Sequence, residues 1–137
     1  VPTPDDIDNE LVARLVSSLR QCEADGWQAD MGNYGFIVGY NRAITPTGGK
    51  CCFLGAEMLK SHRGYQSPTW DKSDAICSAL GLSNNFVIGF NRAVVTLQLS
   101  LYEEHLFPHP DTEIQRGQAH GIAAYWMWKG GSDEQTV

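Results

Sequence analysis

The chain has no long apolar run. Nowhere does it offer the roughly 18 consecutive apolar residues needed to span a bilayer, and no basic-then-apolar leader precedes Pro2. A soluble protein without a membrane partner is expected, with the cytoplasm as the favoured compartment. Basic residues are also scarce: ten Lys and Arg stand against sixteen Asp and Glu, a formal net charge of −6. The average field repels phosphate backbones and anionic lipid, which disfavours nucleic acid as a partner. Cysteine is limited to Cys22, Cys51, Cys52 and Cys77, neither dense enough for a secreted disulfide scaffold nor spaced as the CxxC pairs of zinc sites. Buried free thiols are the expectation; a Cys22–Cys77 disulfide and a redox role for the adjacent Cys51–Cys52 pair are the alternatives. No Ser or Cys stands in a nucleophile-elbow context, and no HExxH signature occurs. Gly48-Gly49-Lys50 is a fragment of a phosphate loop that lacks the flanking strand and helix. No cofactor is expected, and turnover has no positive support.

What is present is enough to fold. The 137 residues fit one domain, 1–137, and four Trp, five Tyr and five Phe supply the core material that disordered chains lack. Residues 1–4 and 131–137 are expected to be flexible. A chain opening on Val1 rather than Met is expected to have lost something upstream. Acid is concentrated at the two ends, in Asp5, Asp6, Asp8 and Glu10 and again in Asp133 and Glu134. Solvated termini explain this directly, and a surface that meets a basic partner is the sharper reading.

Periodicity predicts an all-α fold, a compact bundle of about five helices. Ile7, Leu11, Leu15 and Leu19, joined by Val12 and Val16, form an apolar stripe behind an acid-rich start, so a first helix is expected from Asp5 to Ala24, ended by Asp25-Gly26. Trp27 to Gly35 reads as a loop. Cys51 to Lys60 reads as a short buried helix, and His62 to Thr69 as a loop. Asp71 or Ser73 can cap a helix that runs through Leu80 and stops at Gly81. Ser83 can cap the next, with Phe86, Phe90, Ala93, Leu97 and Leu101 on one face and an extension through Tyr102 to His105. The stretch Val95 to Leu101 also alternates strictly, so an α+β fold with 93–102 as a strand is the competing reading. Pro108 and Pro110 break the chain, and Asp111 or Thr112 can start a last helix toward Lys129.

One segment occurs twice. Phe36-Ile37-Val38-Gly39-Tyr40-Asn41-Arg42-Ala43-Ile44 returns fifty residues later as Phe86-Val87-Ile88-Gly89-Phe90-Asn91-Arg92-Ala93-Val94, with conservative exchanges at the four positions that differ. The repeat predicts two related elements packed against each other, with Gly39 and Gly89 permitting close backbone approach; Gly117 and Gly121 are spaced for the same use in the last helix. Asn41, Arg42, Asn91 and Arg92 are the candidate ligand-binding residues, because two guanidinium forks brought together could clamp a carboxylate or phosphate. The plainer reading pairs each Arg with a nearby acid and uses each Asn to tie down a turn.

Two further groups carry weaker signals. His105, His109 and Asp111, beside Glu103 and Glu104, are the densest set of metal-capable side chains, but Pro108 and Pro110 keep the two histidines off a common helical face, and no metal is expected. His62 and His120 are isolated and read as surface or hydrogen-bonded core residues. Tyr125, Trp126 and Trp128 crowd the last helix, so either that helix is buried centrally or one side docks on another chain.

The run Gly49-Lys50-Cys51-Cys52-Phe53-Leu54-Gly55-Ala56, followed by Ala79-Leu80-Gly81-Leu82 and Gly89-Phe90-Asn91, resembles small helical proteins of phages and bacteria in which a Cys-x-Leu-Gly-Ala-like helix start precedes an element ending in Asn-Asp. Here Arg92 stands where the acid would be. The resemblance implies a phage or mobile-element origin and offers no catalytic residues to carry over. Taken together, the sequence points to a small acidic interaction protein, an adaptor or inhibitor with a protein partner. A ligand-binding domain or small enzyme with a site between the Asn-Arg repeats is the second reading, and a homo-oligomeric subunit assembling through its C-terminal aromatic helix is the third.

Overall fold

The computed structural model describes residues 7–31, 36–37, 50–61, 77–78, 80–99 and 106–130. Along the chain these form α1 (Asn9–Ala24), β1 (Gln28–Ala29), β2 (Phe36–Ile37), β3 (Lys50–Cys51), α2 (Phe53–Ser61), α3 (Asn84–Gln98) and α4 (Thr112–Gly130). The described residues are mostly helical, as the apolar periodicity predicts. The tails expected to be flexible, the His62–Thr69 loop and the Asp71 and Ser73 caps lie outside them.

Local chemistry sets the helix ends. Asp8 caps α1: its carboxylate accepts the Leu11 N–H at 3.1 Å and its carbonyl accepts the Val12 N–H at 3.1 Å. The helix therefore starts at Asn9, later than the Asp5 start expected from the acidic run. At the other end Gly26 takes a φ of 101°, and the Trp27 N–H reaches back to the Cys22 carbonyl at 2.9 Å, closing a Schellman motif. The same device recurs at Gly81, with a φ of 69°, where the Leu82 N–H bonds the Cys77 carbonyl at 3.1 Å. Ser83 then caps α3 by accepting the Phe86 N–H at 3.1 Å, and Asp111 caps α4 by accepting the Ile114 N–H at 2.9 Å.

A small sheet adds to the helical plan. Its order is β1-β3-β2, with β1 parallel and β2 antiparallel to β3, pairing Gln28 with Lys50 and Phe36 with Cys51. Cys51 is fully buried, so its backbone needs partners that water cannot supply. The Asp30 N–H continues the pairing by donating to the Cys51 carbonyl at 2.9 Å. The expected loop from Trp27 to Gly35 thus contains a strand, and the expected helix from Cys51 starts at Phe53.

The first two positions of the repeat do not fold alike in the two copies. Phe36–Ile37 is a strand, whereas the matching Phe86–Val87 lies in the first turns of α3. The second copy follows the Ser83 cap and packs along α4; Phe36 and Ile37 of the first pair with β3 instead, so at these two positions tertiary context overrides a shared local preference. Residues 38–44, with Gly39, lie outside the described residues.

The competing strand reading fails at its start, since 93–98 belong to α3, which ends with Leu99 as its C-cap. The expected continuation from Tyr102 to His105 lies outside the described residues.

The close approach foreseen for glycine joins α3 to α4. A Cβ on Gly89 would overlap the Ile114 carbonyl, and one on Gly121 would sit 2.7 Å from the Phe90 oxygen. Backbones this near leave no room for side chains between them and lock the register of the pair. Aromatic contacts continue inward: Phe86 stacks on Phe90, Phe90 meets Phe53 edge-on at 5.9 Å, and Phe53 meets Trp128 at 5.9 Å. Each such ring contributes about 1.5–3 kcal/mol by leaving water. Polar groups join α1 to α2. Glu57 is buried, and its carboxylate accepts from Arg14 Nε at 2.7 Å and Ser18 Oγ at 2.6 Å.

Candidate functional site

The C-terminal aromatic run separates by helical geometry into three environments. Tyr125 is buried in the core, which removes it from the expected interface; its ring lies edge-on to Trp126 and Trp128 at 5.3 and 5.8 Å. Trp128 is half-buried and pinned, with its indole N–H donating to Glu23 at 2.9 Å. Trp126 is 52% exposed. A run of aromatics cannot all face inward from one helix, and the 100° step between neighbours turns Trp126 outward as Tyr125 turns in.

The end of α1 fastens this region. Arg20 donates to the Met127 carbonyl at 2.8 Å, satisfying a backbone oxygen in the last turn of α4. Beside that contact runs a groove of about 420 Å³ lined by Ala13, Val16, Ser17, Arg20, Gln21 and Met127 among others. Its lining mixes apolar Val16 and Met127 with polar Ser17, Arg20 and Gln21. Composition and spacing carried no sign of Arg20 or Glu23 as clamps, because their partners lie more than a hundred residues away.

The four candidate ligand residues are not brought together as a described site. Asn41 and Arg42 lie outside the described residues. Asn91 is half-buried on α3, and its Oδ1 is buried with no hydrogen-bond partner among the described residues; Arg92 beside it is exposed.

Of the metal-capable group, Asp111 and His109 are occupied with capping. Asp111 uses one carboxylate oxygen on the Ile114 N–H and the other on the Asn85 amide at 3.0 Å. His109 Nδ1 accepts the Asp111 N–H at 3.0 Å, and the His109 N–H donates to Gln115 at 2.8 Å. His105 lies outside the described residues, among which no three metal-ligating side chains converge. The thiols are not joined in disulfides: Cys22, Cys51 and Cys52 are buried and Cys77 is half-buried. A hydrogen bond with Cys22, then burial, then the neighbouring thiols and Glu23 push the Cys51 thiol far above its ordinary range, leaving no thiolate to attack.

A polar cleft of about 380 Å³ lies where the start of α1 meets α4, lined by Asp8, Glu10, Arg14, Leu82 and Arg116 among others. Arg14 reaches from it to Glu57, and Arg116 lies over the Phe86 ring at 4.8 Å while bonding Glu113 at 3.3 Å. Next to the cleft, His120 is fully buried and spans from α4 to the Asp8 backbone. Burial lowers its pKa, as does the Arg116 charge; the bond to the Arg116 carbonyl and the Asp8 and Glu113 carboxylates pull the other way. Comparison with known proteins yields no match, whether to protein-family models, to curated proteins or to solved structures.

Proposed function

We propose that the protein is a small acidic interaction module, an adaptor or inhibitor that works by binding another protein. Its scaffold is the bundle of about five helices read from the sequence, with the helical residues at 77–78 and 80 as the end of the fifth. The observation that carries this reading is Trp126, half exposed on a helix that the glycine contacts and the Arg20 bond hold rigid. A large ring presented from a fixed backbone loses little entropy on binding, which is why tryptophan is enriched at the centres of interfaces. The groove that Met127 lines adds a mixed apolar and polar surface for a partner.

Photocrosslinking amino acids placed at Trp126 and, separately, at exposed Ser17 test the reading in a lysate of the source cells. A common protein captured from both positions supports it. Capture from neither position, with the labelled protein folded by circular dichroism, rejects it. Self-capture, together with a dimer in light scattering, would instead favour the structural-subunit reading.

A second reading rests on the unsatisfied Asn91 Oδ1 beside exposed Arg92, which suits a ligand bearing both a donor and an anionic group. Calorimetry with inorganic phosphate, on the parent and on the Arg42→Ala/Arg92→Ala variant, tests it. No heat for the parent rejects an anion site there.

A further inference from the structure

His120 fastens one end of the fold to the other. Its ring is fully buried on α4, edge-on to Phe86 at 5.0 Å, with both nitrogens in use. Nε2 accepts the Asp8 N–H at 2.8 Å, and Nδ1 lies 2.7 Å from the Arg116 carbonyl. A backbone N–H can only donate and a carbonyl oxygen can only accept, so the ring is neutral with its proton on Nδ1. A second proton would have to enter at Nε2, where it would face the Asp8 N–H, donor against donor.

What that contact restrains is the start of α1. Asp8 is the residue whose carboxylate caps Leu11 and whose carbonyl receives the first helical bond from Val12. Asp8 and Arg116, the two residues bonded to the ring, also both line the polar cleft. The ring's charge therefore bears on the attachment of the α1 cap and on one wall of that cleft.

We propose that His120 is an acid-released latch: protonation of its ring frees Asp8 and the first turn of α1 from α4 while the α3–α4 pair stays folded. Among the described residues, the charged groups facing the ring are Arg116 and Glu113 from α4 and Asp8 from α1; α3 presents the Phe86 ring. Burial, with the Arg116 guanidinium, opposes the charged ring, while the bond to the Arg116 carbonyl and the two carboxylates favour it. Opposition prevails, so the latch is shut at neutral pH and opens on the acid side of 6.5, the ordinary histidine value. The α3–α4 pair survives opening because its glycine contacts do not involve the ring.

Residue-resolved amide hydrogen exchange tests this, run from about pH 7.5 to about pH 4.5 and corrected for the intrinsic pH dependence, alongside the ¹⁵N shifts of the His120 ring. Loss of one hydrogen bond of about 1.4 kcal/mol lowers protection about tenfold, so the Asp8 amide should lose about that much across the His120 titration while Phe90 and Ala93 stay far better protected than Asp8. In His120→Gln, whose amide oxygen can still accept from Asp8 without titrating, the Asp8 protection should stay level with pH. Three results overturn the proposal. One is Asp8 protection that ignores the His120 titration; another is a Phe90 amide no better protected than Asp8 in acid, which would mean global unfolding. The third is an unchanged pH dependence in the glutamine variant. Should that variant not fold, the comparison of Asp8 with Phe90 in the parent protein decides alone.

Discussion

Gly117 meets the backbone of Phe86 with no side chain between them: a Cβ on Gly117 would lie 2.9 Å from both the Phe86 carbonyl carbon and the Phe90 nitrogen, and closer still to the Phe86 oxygen. The neighbours are main-chain atoms of a helix, which cannot swing aside as the end of a long side chain can. Two effects then compete in Gly117→Ala. Alanine favours the helix by about 1 kcal/mol, while forcing α3 and α4 apart costs more. The expected net loss is about 2–4 kcal/mol in urea denaturation. Gly130→Ala, with open space at the position, serves as control and should be neutral or slightly stabilising. Equal stability of the two variants would mean that the helices are not in backbone contact.

Glu57 supports a second prediction. Its carboxylate is 1% exposed and joins α2 to α1 through Arg14 and Ser18, whereas the Arg14 side chain is 55% exposed. Removing the acid strands the Ser18 hydroxyl in the core and leaves a void, but Arg14 can turn to water. The loss in Glu57→Ala should therefore be about 3 kcal/mol, at the low end for breaking a buried pair. Arg14→Ala should cost more than its exposure suggests, because it removes the guanidinium that the buried acid faces. A double-mutant cycle measures the coupling, and additive losses would refute the link.

These elements differ in how far they could be read from sequence, and the difference follows the range of the interactions. Ser83, Asp111, Gly26 and Gly81 act on backbone groups within a few residues, and their roles as helix ends were legible as such. Gly117 and Gly121 could be recognised as small positions, since nothing else explains two glycines four apart within a helix. Their partner could not: Gly117 and Gly121 meet Phe86 and Phe90 of α3, as Gly89 meets Ile114 of α4. The same limit separated the two copies, because strand or helix was decided by whether β3 or α4 lay alongside. It also hid the Arg20 and Glu23 clamps and the bond from Asp8 to His120, all formed across more than a hundred residues. At the candidate site, the aromatic excess was visible, but only the helix phase shows that Trp126 rather than Tyr125 reaches the surface.

The thiols yield a prediction about reactivity. Cys22, Cys51 and Cys52 are buried, and the Cys51 thiol is held protonated by its bond with Cys22 and by burial. Cys77 is half-buried near the start of α3, within 3.8 Å of Asn84 Oδ1. Ellman's reagent should therefore label Cys77 first in the native protein and the other three only when denaturant opens the core. Peptide mapping identifies the labelled residue. Prompt labelling of Cys51 under native conditions would contradict its burial.

Stability should fall on acidification, and the sign follows from His120. The folded-state pKa is lowered beneath 6.5 mainly by burial, so the unfolded chain binds the proton more readily than the folded one. The contribution is fully present above pH 6.5 and is lost as the pH drops from there through the folded value. One proton limits the slope to about 1.4 kcal/mol per pH unit. Urea denaturation from about pH 7.5 downward should show this decline in the parent protein and a shallower one in His120→Gln, which takes up no proton. The glutamine keeps an acceptor for Asp8, so the two curves should differ most in slope on the acid side of neutrality. Parallel curves would place the acid sensitivity in groups other than this imidazole.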